Sequence, residues 1–546
     1  MPVTAALVRP PVDVLHKFSK PVECLALAYL GAALRKAGHE AVLLDGMMHE
    51  WSVEDTARRV LDARPDLVGF TVVLNHLPPQ VEAIAALLRA GGFRGPVLVG
   101  GHAVSFFPDR VLAAAPSVDA VIRGEGEVPV QRVADAVAGG RSWRDAPGVC
   151  TRDGAGVRQN PVRRLTDLDL LGHPARDLTA EVIDNDGLAA MSTSRGCYAR
   201  CTFCSIPRFY GLERPGRGLP SGDWLGRDVD SMVAEVLDLH ERFGLLELLI
   251  VDDEFFGGSG GGQERAAEFG DRLAAAGSPV ALALSFRAEN AEPDVLRRLR
   301  AGGLRHCFVG LESGVDSDLK LYGKAHTADQ NRAAVRVIRD LGLSFQPGFM
   351  MFHHDSTIGQ LRRNMDFLRD IGECKPVTVN SAVDPHFGTP MLRVMRREEV
   401  LADHGTHLSA RFKDPRVAVA KRVAEDAAAG FQEYMNTIAA VQSAITYEWR
   451  RPTPGRTPKG QTAVDAFERG VNEAFVSVVD EALASLDAGT PADAVTTAAA
   501  DRLTAVRERL EVSRSLLLLA LQRLEGGVRY RTQRERIDAA RGVPAA

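Results

Sequence analysis

Three cysteines in one short segment constrain this chain more than any other feature. Cys197, Cys201 and Cys204 lie in the run SRGCYARCTFCS, which begins at Ser194, so three residues separate the first pair and two separate the second. Thiolates this close together on one loop can bind three irons of a [4Fe–4S] cluster and leave the fourth iron without a cysteine. An open iron can bind a substrate or a cofactor. The spacing therefore predicts a cluster that takes part in chemistry.

A structural zinc site is the other interpretation of clustered cysteines. Structural zinc usually takes four Cys or His ligands, and His173 and His240 lie too far along the chain to complete a local site. Gly196 lets the backbone turn tightly before the first cysteine, and the aromatic rings of Tyr198 and Phe203 can shield a cluster from water. The motif therefore favours the iron–sulfur cluster.

The cysteine motif resembles that of the radical S-adenosylmethionine (SAM) enzymes. In that family the amino and carboxylate groups of SAM chelate the open iron, and the reduced cluster cleaves SAM to methionine and a 5′-deoxyadenosyl radical. The resemblance implies that Cys197, Cys201 and Cys204 hold a [4Fe–4S] cluster and that SAM is a cofactor. It also implies an external electron donor of the flavodoxin or ferredoxin type.

Size, charge and the remaining cysteines limit the domain count, the partners and the compartment that we expect for this chain. A chain of 546 residues is too long for one ordinary domain, and a net charge of -5 gives no electrostatic case for nucleic acid or an anionic membrane as a partner. No window reaches the ~18–20 apolar residues of a membrane span, and Leu516–Leu521 is predicted to be a buried helix face. No N-terminal segment has the pattern of a secretion signal. An oxygen-sensitive cluster and scattered cysteines are typical of a reducing cytoplasm; the scattered cysteines are Cys24, Cys150, Cys307 and Cys374.

The N-terminal part has the pattern of an α/β fold. Short apolar runs, each a predicted strand, alternate with amphipathic helical stretches; the runs are 5–8, 41–44, 66–70, 96–99 and 120–122. This alternation predicts a doubly wound, Rossmann-like parallel sheet. Such sheets bind ligands beyond the carboxyl ends of their strands.

This part resembles the cobalamin-binding domain that precedes the radical SAM domain in one large subclass. The matching signatures are Gly100-Gly101-His102, with Pro108 after it, and Gly124-Glu125-Gly126-Glu127. The glycines allow the backbone to approach a large flat ligand closely. The resemblance implies cobalamin as a cofactor and the following contacts to it: Pro10, Asp45, Gly46, Val72, Leu74, Gly100, Gly101, His102, Gly124, Glu125, Gly126 and Glu127.

We expect no histidine of the segment after the apolar run at 41–44 to ligate cobalt from its lower face. Cobalamin domains of the methionine synthase type use Asp-x-His-x-x-Gly for that ligand, and the segment from Asp45 to His49 does not have this spacing. The radical SAM subclass commonly departs in this way. His76 either lies near the lower face of the corrin or is an ordinary loop histidine. A flavodoxin-like fold with a different ligand is the alternative for the whole domain.

Four domains or segments are predicted: a cobalamin-binding domain over 1–140, a linker over 141–186, a radical SAM domain over 187–390 and a helical region over 391–546. Six apolar runs in the radical SAM domain predict the strands of a partial (β/α)6, TIM-like barrel; they are 188–191, 245–251, 280–286, 306–311, 345–352 and 377–380. Polar clusters follow the strands at their carboxyl ends, where barrels of this kind carry their sites.

Several of these polar strand ends resemble SAM contacts of the family. The residues concerned are Asp252, Asp253, Glu254, Arg287, Glu289 and Glu312. Carboxylates there would orient the ammonium group of SAM, and an arginine suits its carboxylate. Capping of helix N-termini by the acidic residues and a salt bridge at the barrel rim are the alternatives.

The sequence identifies no catalytic residue outright. The candidates are Tyr322, His353, His354 and Asp384, with Asp355 and His386 beside them. They could face substrate or pass a proton, and a role as solvated rim residues is equally consistent with the pattern.

The C-terminal region is rich in Ala, Arg and Glu and poor in strand patterns. It is predicted to be all-α, with helices over 415–450, 462–487, 493–510 and 511–525. This region either caps the barrel and shapes a substrate pocket or binds a partner.

Cobalamin and radical SAM domains in one chain resemble the cobalamin-dependent radical SAM methyltransferases. The resemblance implies a C-methyltransferase that moves a methyl group from SAM through methylcobalamin to an unactivated carbon of a small specialised metabolite. The same architecture also supports cyclisation, ring contraction or other rearrangement without methyl transfer. Methylthiotransferases carry a second three-cysteine cluster, and only Cys24 and Cys150 precede Cys197 here. A non-catalytic cobalamin and iron–sulfur sensor is the alternative from another class.

Overall fold

The computed structural model describes residues 1–12, 21–154, 156–212, 224–258, 261–449, 460–522 and 532–542. The chain divides into two units, of which the first comprises Met1–Phe308, Ile338–Ser344 and Asp384–Ser409, and the second Val309–Val337, Phe345–Val383 and Ala410–Ala546. The domain boundaries predicted at residues 140, 186 and 390 follow sequence resemblance and stay predictions.

A parallel sheet opens the first unit, as the apolar runs predict. Its strands are β1 (Thr4–Arg9), β2 (Glu40–Asp45), β3 (Leu67–Thr71), β4 (Val97–Gly100) and β5 (Ala120–Ile122). The helices between and after them are α1 (Leu25–Lys36), α2 (Val53–Asp62), α3 (Pro79–Ala90), α4 (Pro108–Ala114) and α5 (Glu127–Ala138). The strand order β2-β1-β3-β4-β5 is that of a doubly wound fold. The prediction of this fold class is confirmed.

Both faces of this sheet are buried, which explains why its strands are continuous apolar runs. Ala6 and Val8 of β1 belong to one core cluster, which includes Leu88 of α3. Ala5 and Leu7 point to the other face and belong to a second cluster, which includes residues of α1 and α5. Alternate residues of a strand face opposite sides, so each parallel strand supplies both clusters.

The predicted linker contains regular structure that the sequence pattern did not indicate. Strands β6 (Val149–Asp153) and β7 (Gly156–Gln159) extend the sheet beyond β5 as antiparallel neighbours. Helix α6 (Thr179–Asp184) follows them. Residues 141–186 therefore include part of the first sheet as well as a connection.

The second α/β segment begins in the first unit. Its elements there are β8 (Ala190–Met191), β9 (Ser194–Arg195), α7 (Ile206–Phe209), β10 (Leu225–Gly226), α8 (Val229–Phe243), β11 (Glu247–Ile250), α9 (Gly262–Ala275), β12 (Ala281–Arg287) and α10 (Pro293–Ala301). Strands β8, β11 and β12 are parallel neighbours. Strand β13 (Leu304–Glu312) begins in this unit and ends in the second.

The second unit continues with further strand and helix elements. They are α11 (Asp316–Leu321), α12 (Ala328–Asp340, which ends in the first unit), β14 (Ser344–Phe349), α13 (Ile358–Asp370) and α14 (Pro376–Val379). The sixth strand predicted at 377–380 is wrong, because residues 376–379 form the short helix α14. Pro376 is at the first helical position, where its fixed φ favours the helix. A single bridge between Phe352 and Ala382 is the strand-like pairing found there.

Residues 384–409 lie in the first unit and are not wholly helical. They form α15 (Pro390–Arg397) and β15 (Leu401–His404), and β15 pairs with β16 (His407–Ala410). Phe387, Leu392 and Leu408 belong to the core cluster on the α3 side of the first sheet. The prediction of an all-α region from residue 391 is therefore wrong over 401–410.

Long helices dominate the rest of the second unit. They are α16 (Pro415–Trp449), α17 (Gln461–Asp487), α18 (Ala492–Gln522) and α19 (Gln533–Ala540). The two helices predicted over 493–525 are one continuous helix to residue 522, and 523–525 lie outside the described residues. The leucine run is not a buried face, since Leu516 is 61 % exposed while Leu517 and Leu521 are buried. Within the described ranges, no helix is long and apolar enough to cross a membrane.

Candidate active site

A cavity of about 310 Å³ lies in the first unit, at the carboxyl edge of the first sheet. One wall is the sheet face that carries Leu7, Leu98 and Ile122, and another is helix α1 with Leu25 and Tyr29. The remaining lining comes from the ends of β4 and β5 and from the segment around the cluster cysteines; it includes Gly100, Gly101, His102, Gly124, Glu125, Gly126, Glu127, Ser194, Arg195, Phe209, Tyr210 and Asp253. The volume is that of a ligand site.

Seven of the predicted cobalamin contacts line this cavity, and five do not. The seven are the Gly100-Gly101-His102 and Gly124–Glu127 segments. Asp45 is instead buried in an ion pair with Arg9, at 2.6 Å from Oδ1 to Nε. Pro10, Gly46, Val72 and Leu74 lie elsewhere in the same sheet domain and stay predictions. His76 does not line the cavity and stacks edge-on against His407, with ring centroids 5.3 Å apart.

Gly101 shows why this wall needs glycine. Its φ of +132° is in the region that favours glycine, and a Cβ built on it would lie 2.2 Å from the carbonyl oxygen of Val72. No side chain fits at that distance. The chain can therefore pass directly from β4 along the cavity only because residue 101 has none.

An arginine from the cysteine segment joins the two halves of the cavity wall. Arg195 donates from Nη1 to Glu125 Oε1 at 2.9 Å and from Nη2 to Glu127 Oε1 at 2.6 Å. The three side chains are 15 %, 7 % and 7 % exposed. The guanidinium also lies over the ring of Tyr29, 5.1 Å from its centroid. We call Arg195, Glu125 and Glu127 the buried triad.

Charge balance in the buried triad is uneven. Burial raises the pKa of Glu125, and Arg195 only partly offsets this effect. Burial also disfavours the charged form of Glu127, but there the charge and hydrogen bond of Arg195 prevail and the pKa is lowered. Glu127 is therefore the stronger partner of Arg195. The arrangement fixes the cysteine segment to the Gly124–Glu127 segment by a charge pair that water does not screen.

The cysteine loop itself has the donors that a cluster needs. The Ala199 N–H donates to Cys197 Sγ at 3.5 Å, and Arg287 Nη1 donates to Cys201 Sγ at 3.1 Å. Gly196 has a φ of +88°, which lets the chain turn immediately before Cys197. Burial raises the pKa of Cys197 to about 12, so cluster assembly must displace its proton.

The three cysteines of this loop are the ligand set that a [4Fe–4S] cluster requires. A cluster needs only one thiolate at each of three irons, and three cysteines on one loop satisfy that. Their sulfur-directed N–H groups are the outer contacts that support such ligands.

His102 connects the first sheet to the same loop. Its Nε2 lies 2.7 Å from Ser205 Oγ, next to Cys204, and its ring stacks on Phe209 with centroids 4.5 Å apart. Burial, aided by the nearby His386, lowers the pKa of His102 to about 4. A neutral imidazole at neutral pH therefore forms this part of the cavity wall.

Only one of the three acidic residues after β11 lines the cavity. Asp252 accepts from the Thr193 N–H at 2.7 Å and from Ser194 Oγ at 2.8 Å. Glu254 is fully buried, and burial raises its pKa to about 7. Asp253 lines the cavity and accepts from the Gly196 N–H at 3.1 Å, and burial raises its pKa to about 6.

The predicted Arg287 and Glu289 form a pair near the cysteine loop. Arg287 Nε donates to Glu289 Oε1 at 2.5 Å, while the same guanidinium reaches Cys201. Tyr198 lies beside them, and its hydroxyl donates to Glu289 Oε1 at 3.4 Å and accepts from Asn290 at 3.0 Å. The salt bridge expected as the alternative for Arg287 is present, and its predicted SAM contact stays a prediction.

In the second unit, Glu312 has an unusual backbone. Its φ of +67° is rare for a residue with a side chain. Its carboxylate pairs with Lys324 Nζ at 2.8 Å, and Lys324 is buried. Strain of this kind concentrates at functional positions, which keeps Glu312 a candidate SAM contact.

The candidate catalytic residues separate into different environments. Tyr322 is fully buried and donates to the Met350 carbonyl at 3.2 Å, so it is a core residue rather than a substrate-facing one. His353 and His354 are also buried, and His353 Nε2 lies 3.5 Å from Asp318 Oδ1. Asp384, in the first unit, accepts from Asn75 Nδ2 at 3.0 Å.

Sequence reasoning missed Arg195, Tyr29 and Tyr210 as residues of the cavity. Arg195 is a charged residue within a short buried strand, directly before Gly196 and the first cysteine. A charge in that position needs a buried partner of opposite sign. The two glutamates of Gly124–Glu127 follow a predicted strand and could supply that charge, so the sequence offered a reason to pair Arg195 with them. The two tyrosines carry no comparable signal.

Family models match both α/β parts of the chain. The B12 binding domain matches residues 11–134, and the radical SAM superfamily matches residues 191–368. The first match covers strands β2 to β5 and the glycine-rich segments that line the cavity, and the second covers the cysteine loop.

Curated relatives match more than half of the chain. An uncharacterized methyltransferase PH0819 of Pyrococcus horikoshii is 28% identical over 353 residues, 64% of this chain and 73% of its own. A 4'-phospho-dehydrooxetanocin synthase of Priestia megaterium is 26% identical over 67% of this chain, which spans only 51% of that protein. An anaerobic magnesium-protoporphyrin IX monomethyl ester cyclase of Rubrivivax gelatinosus is 24% identical over 63% of this chain and 61% of its own length.

Solved structures share the fold. The cobalamin-dependent SAM radical enzyme OxsB, with aqua-cobalamin and SAM bound, superposes with a TM-score of 0.74 at 18% identity, over 98% of this chain and 83% of that one. The radical SAM methyltransferase TsrM from Kitasatospora setae, with cobalamin and a [4Fe–4S] cluster bound, superposes with a TM-score of 0.59 at 20% identity. The superposition covers 73% of this chain and 75% of that one.

Proposed function

The chain belongs to the cobalamin-dependent radical SAM enzymes, whose cofactors are cobalamin, SAM and a [4Fe–4S] cluster, and we propose that it is a C-methyltransferase. In this proposal a methyl group of SAM passes by way of cobalamin to an unactivated carbon of a small specialised metabolite. One observation carries the proposal: Ser194 and Arg195, directly before the cysteine loop, line the same cavity as the Gly124–Glu127 segment. Transfer between two cofactors requires that both open onto one shared volume.

The chain's own residues would bind and orient the reactants. When bound, the cluster and cobalamin supply the radical and methyl-transfer chemistry, so the protein's part is placement and exclusion of water. Leu7, Leu98 and Ile122 give the cavity an apolar wall that suits a flat apolar group. The buried triad would fix the position of that wall relative to the cysteine segment.

Asp253 and Arg287 are the SAM contacts that the geometry supports best. Asp253 offers a carboxylate to the cavity beside Gly196, where it would accept a hydrogen bond from the ammonium group of SAM. Arg287 offers a guanidinium suited to the SAM carboxylate. Asp252 and Glu254, unlike Asp253, do not line the cavity and accept hydrogen bonds from Thr193 and Asn290, which favours an indirect role for them.

Cyclisation or rearrangement without methyl transfer is the second candidate function. Two of the relatives carry the printed names of a synthase and a cyclase rather than a methyltransferase. The same cavity would serve such a reaction, because the adenosyl radical needs only a substrate C–H bond within reach. The two functions differ in whether S-adenosylhomocysteine is formed.

A reducing cytoplasm is the compartment that suits this proposal. Cys24, Cys150, Cys307 and Cys374 are all free and buried, which fits a compartment without disulfide formation. A cluster with one open iron also requires protection from oxygen.

The test is an anaerobic assay of the protein after cluster reconstitution and cobalamin loading, with SAM and a strong reductant. We expect both 5′-deoxyadenosine and S-adenosylhomocysteine by mass spectrometry. Cys201→Ala should abolish the deoxyadenosine, whereas Cys374→Ala, which removes a buried thiol of the second unit, should retain both products.

The products distinguish the alternatives. Deoxyadenosine without S-adenosylhomocysteine, from a protein supplied with candidate acceptors, would support rearrangement over methylation. S-adenosylhomocysteine alone would indicate methyl transfer through cobalamin without the radical. A cobalamin- and cluster-loaded protein that turns over no SAM would contradict the enzyme function and favour the sensor.

A further inference from the structure

Four buried charged residues of the first unit form a continuous chain of ion pairs. Arg176 donates from Nη1 to Glu23 Oε2 at 2.7 Å and from Nη2 to Glu235 Oε1 at 2.5 Å. The second oxygen of Glu235 accepts from Arg227 Nη1. All four side chains are only 2 % or 3 % exposed, and two positive charges balance two negative ones. We call Glu23, Arg176, Glu235 and Arg227 the buried ion chain.

The members of the buried ion chain come from four separate segments. Glu23 directly precedes helix α1 of the first sheet domain, and Arg176 lies in the connection between β7 and α6. Arg227 directly follows β10, and Glu235 lies on α8. The contact between Arg176 and Glu23 joins residues 153 positions apart. The buried ion chain therefore ties the first sheet domain to the second α/β segment.

The buried ion chain also holds the backbone that leads into the cysteine loop. Arg176 Nη1 donates to the carbonyl of Ala190 at 2.9 Å, and the Ala190 N–H donates to Glu23 Oε2 at 3.0 Å. Arg227 Nη1 donates to the carbonyl of Ser192 at 2.9 Å. Ala190 belongs to β8, and Ser192 lies between β8 and β9, shortly before the cysteine loop. The cysteine loop is thus anchored at its start by charged side chains.

On its other side, the buried ion chain lies behind the cavity wall that α1 forms. Leu25 and Tyr29 of α1 line the cavity. Burial, and to a smaller extent the charge of Glu235, raise the pKa of Tyr29 to about 12, so the ion chain lies within electrostatic reach of this wall. The apolar cluster shared by α1 and β8 is small, and its buried members are Leu25, Ala28, Tyr29 and Ala190. Apolar contact alone therefore gives α1 little hold on β8.

Buried charges join segments in a different way from apolar side chains. Removing charged groups from water is strongly unfavourable, and apolar residues of similar volume often give a protein of equal or greater stability. Apolar surfaces can slide over one another, whereas each charged hydrogen bond needs its donor within about 3 Å of its acceptor. All links of the buried ion chain are therefore satisfied together in only one relative position of the four segments. Its distinctive contribution is position rather than stability.

We infer that the members of the buried ion chain are positioning residues, which hold the cysteine loop at one distance from the cavity wall formed by α1. This inference rests on the proposed function, in which the chemistry of two cofactors must reach one substrate carbon. A misplacement of about 1 Å can lower such a rate about 100-fold. None of the four residues lines the cavity, so they act through α1 and through the backbone of residues 190–192.

The test measures this spacing in the full-length protein loaded with cob(II)alamin and the reduced cluster, without substrate. The reduced cluster accelerates relaxation of the cob(II)alamin spin, and this enhancement falls with the sixth power of the distance between the two spins. The variant E23Q/R176M/E235Q/R227M removes all four charges together and leaves none unpaired. The control is R35M/D177N. Arg35 of α1 pairs with Asp177 of the same connection at 2.6 Å, but both side chains are 39 % exposed.

We expect the quadruple variant to fold with a melting temperature close to the native one, because its buried charges are removed together. Its relaxation enhancement should be weaker than the native one and should differ among the molecules of one sample, because the segments then take several relative positions. R35M/D177N should match the native protein. In the turnover assay of the quadruple variant, S-adenosylhomocysteine should fall about 100-fold relative to deoxyadenosine, because cleavage of SAM to deoxyadenosine needs no cobalamin.

A milder variant keeps the test valid if the quadruple variant does not fold. E235D retains all four charges but withdraws the carboxylate by one methylene, so that it cannot reach Arg176 and Arg227 together. It should change the relaxation enhancement in the same direction. The spins are observed without turnover, so a native protein that forms no S-adenosylhomocysteine would refute the proposed function and leave this inference standing.

Three outcomes would overturn the inference. One is a native relaxation enhancement in folded E235D or in the folded quadruple variant, which would leave the buried ion chain a structural role alone. Another is an equal change in R35M/D177N, which would show that burial of the ion chain does not matter for the spacing. The third is a parallel fall of deoxyadenosine and S-adenosylhomocysteine in E235D, which would indicate general damage to the cluster.

Discussion

The buried triad makes a strong prediction for stability. Arg195→Met removes the cation from Glu125 and Glu127, whose side chains are each only 7 % exposed, and leaves their carboxylates without it in a site that water barely reaches. Removing one partner of a buried ion pair costs about 3–5 kcal/mol, because the remaining charge is buried without compensation. The cost should be lowest where the carboxylates can take up protons, which burial favours once Arg195 is gone, so the loss should shrink as the pH falls.

The control is an arginine of similar pairing but different burial. Arg298 donates to both oxygens of Asp271, and the two side chains are 47 % and 52 % exposed. Arg298→Met should cost less than about 1 kcal/mol, as exposed pairs do. Adding Glu125→Gln and Glu127→Gln to Arg195→Met should recover part of the loss, because it removes the uncompensated charges.

The assay is equilibrium urea unfolding of the apoprotein, with the transition midpoints compared at constant slope. Cobalamin binding to each variant, followed by absorbance, gives a second measure, and Arg195→Met should bind more weakly than Arg298→Met. If Arg195→Met and Arg298→Met shift the midpoint equally, the buried triad does not hold the cavity wall together, and its proposed role is wrong.

Three further perturbations test individual contacts. His102 binds a proton in the unfolded chain below about pH 6.5 but in the folded protein only near pH 4; stability should therefore fall by up to about 3 kcal/mol between pH 6.5 and 4, and His102→Asn should flatten that slope in unfolding titrations. Gly101→Ala places a Cβ 2.2 Å from the Val72 oxygen and should destabilise the fold by about 1–3 kcal/mol, with weaker cobalamin uptake; an unchanged melting temperature would refute this. Arg287→Met removes a donor to Cys201 and should lower activity about 10- to 100-fold with a shifted cluster potential by redox titration, whereas an unaltered potential would assign Arg287 to SAM alone.

The fold could be predicted from the sequence where one local pattern, such as a continuous apolar run, dominates a segment. The strands of the first sheet bury both faces, so their apolar runs identify them. Strands β6 and β7 have mixed and largely exposed residues, and they form because β5 offers an edge. The sequence could not indicate that tertiary contact.

Two errors have the same physical origin. The β-branched run Val377-Thr378-Val379 favours a strand by propensity, but Pro376 fixes a helical start and four residues form one turn. Leucines 516, 518 and 519 suggest burial by composition, but α18 buries only positions spaced by about a turn, such as Leu517 and Leu521. In both places the tertiary structure overrides the local sequence preference.

The residues of the candidate site likewise divide into those that the local sequence identifies and those that only the fold brings together. Cysteine spacing and glycine-rich strand ends are local chemistry, so Cys197, Gly101 and Glu127 could be named from the sequence. The contacts of Arg195 join residues 70 and 68 positions apart, and no periodicity reports such a pair. For the same reason the sequence could not separate Asp253, which lines the cavity, from Asp252, which holds the loop.

The proposed function requires that cobalamin and the cluster, when bound, open onto one cavity. Pulsed EPR of the protein loaded with both cob(II)alamin and the reduced cluster measures this directly, because two unpaired spins in one small volume interact through space. A shared cavity predicts marked relaxation enhancement of the cob(II)alamin signal when the cluster is reduced, and loss of that effect in Cys201→Ala. Identical cob(II)alamin relaxation with and without the reduced cluster would place the two sites apart and contradict the proposed function.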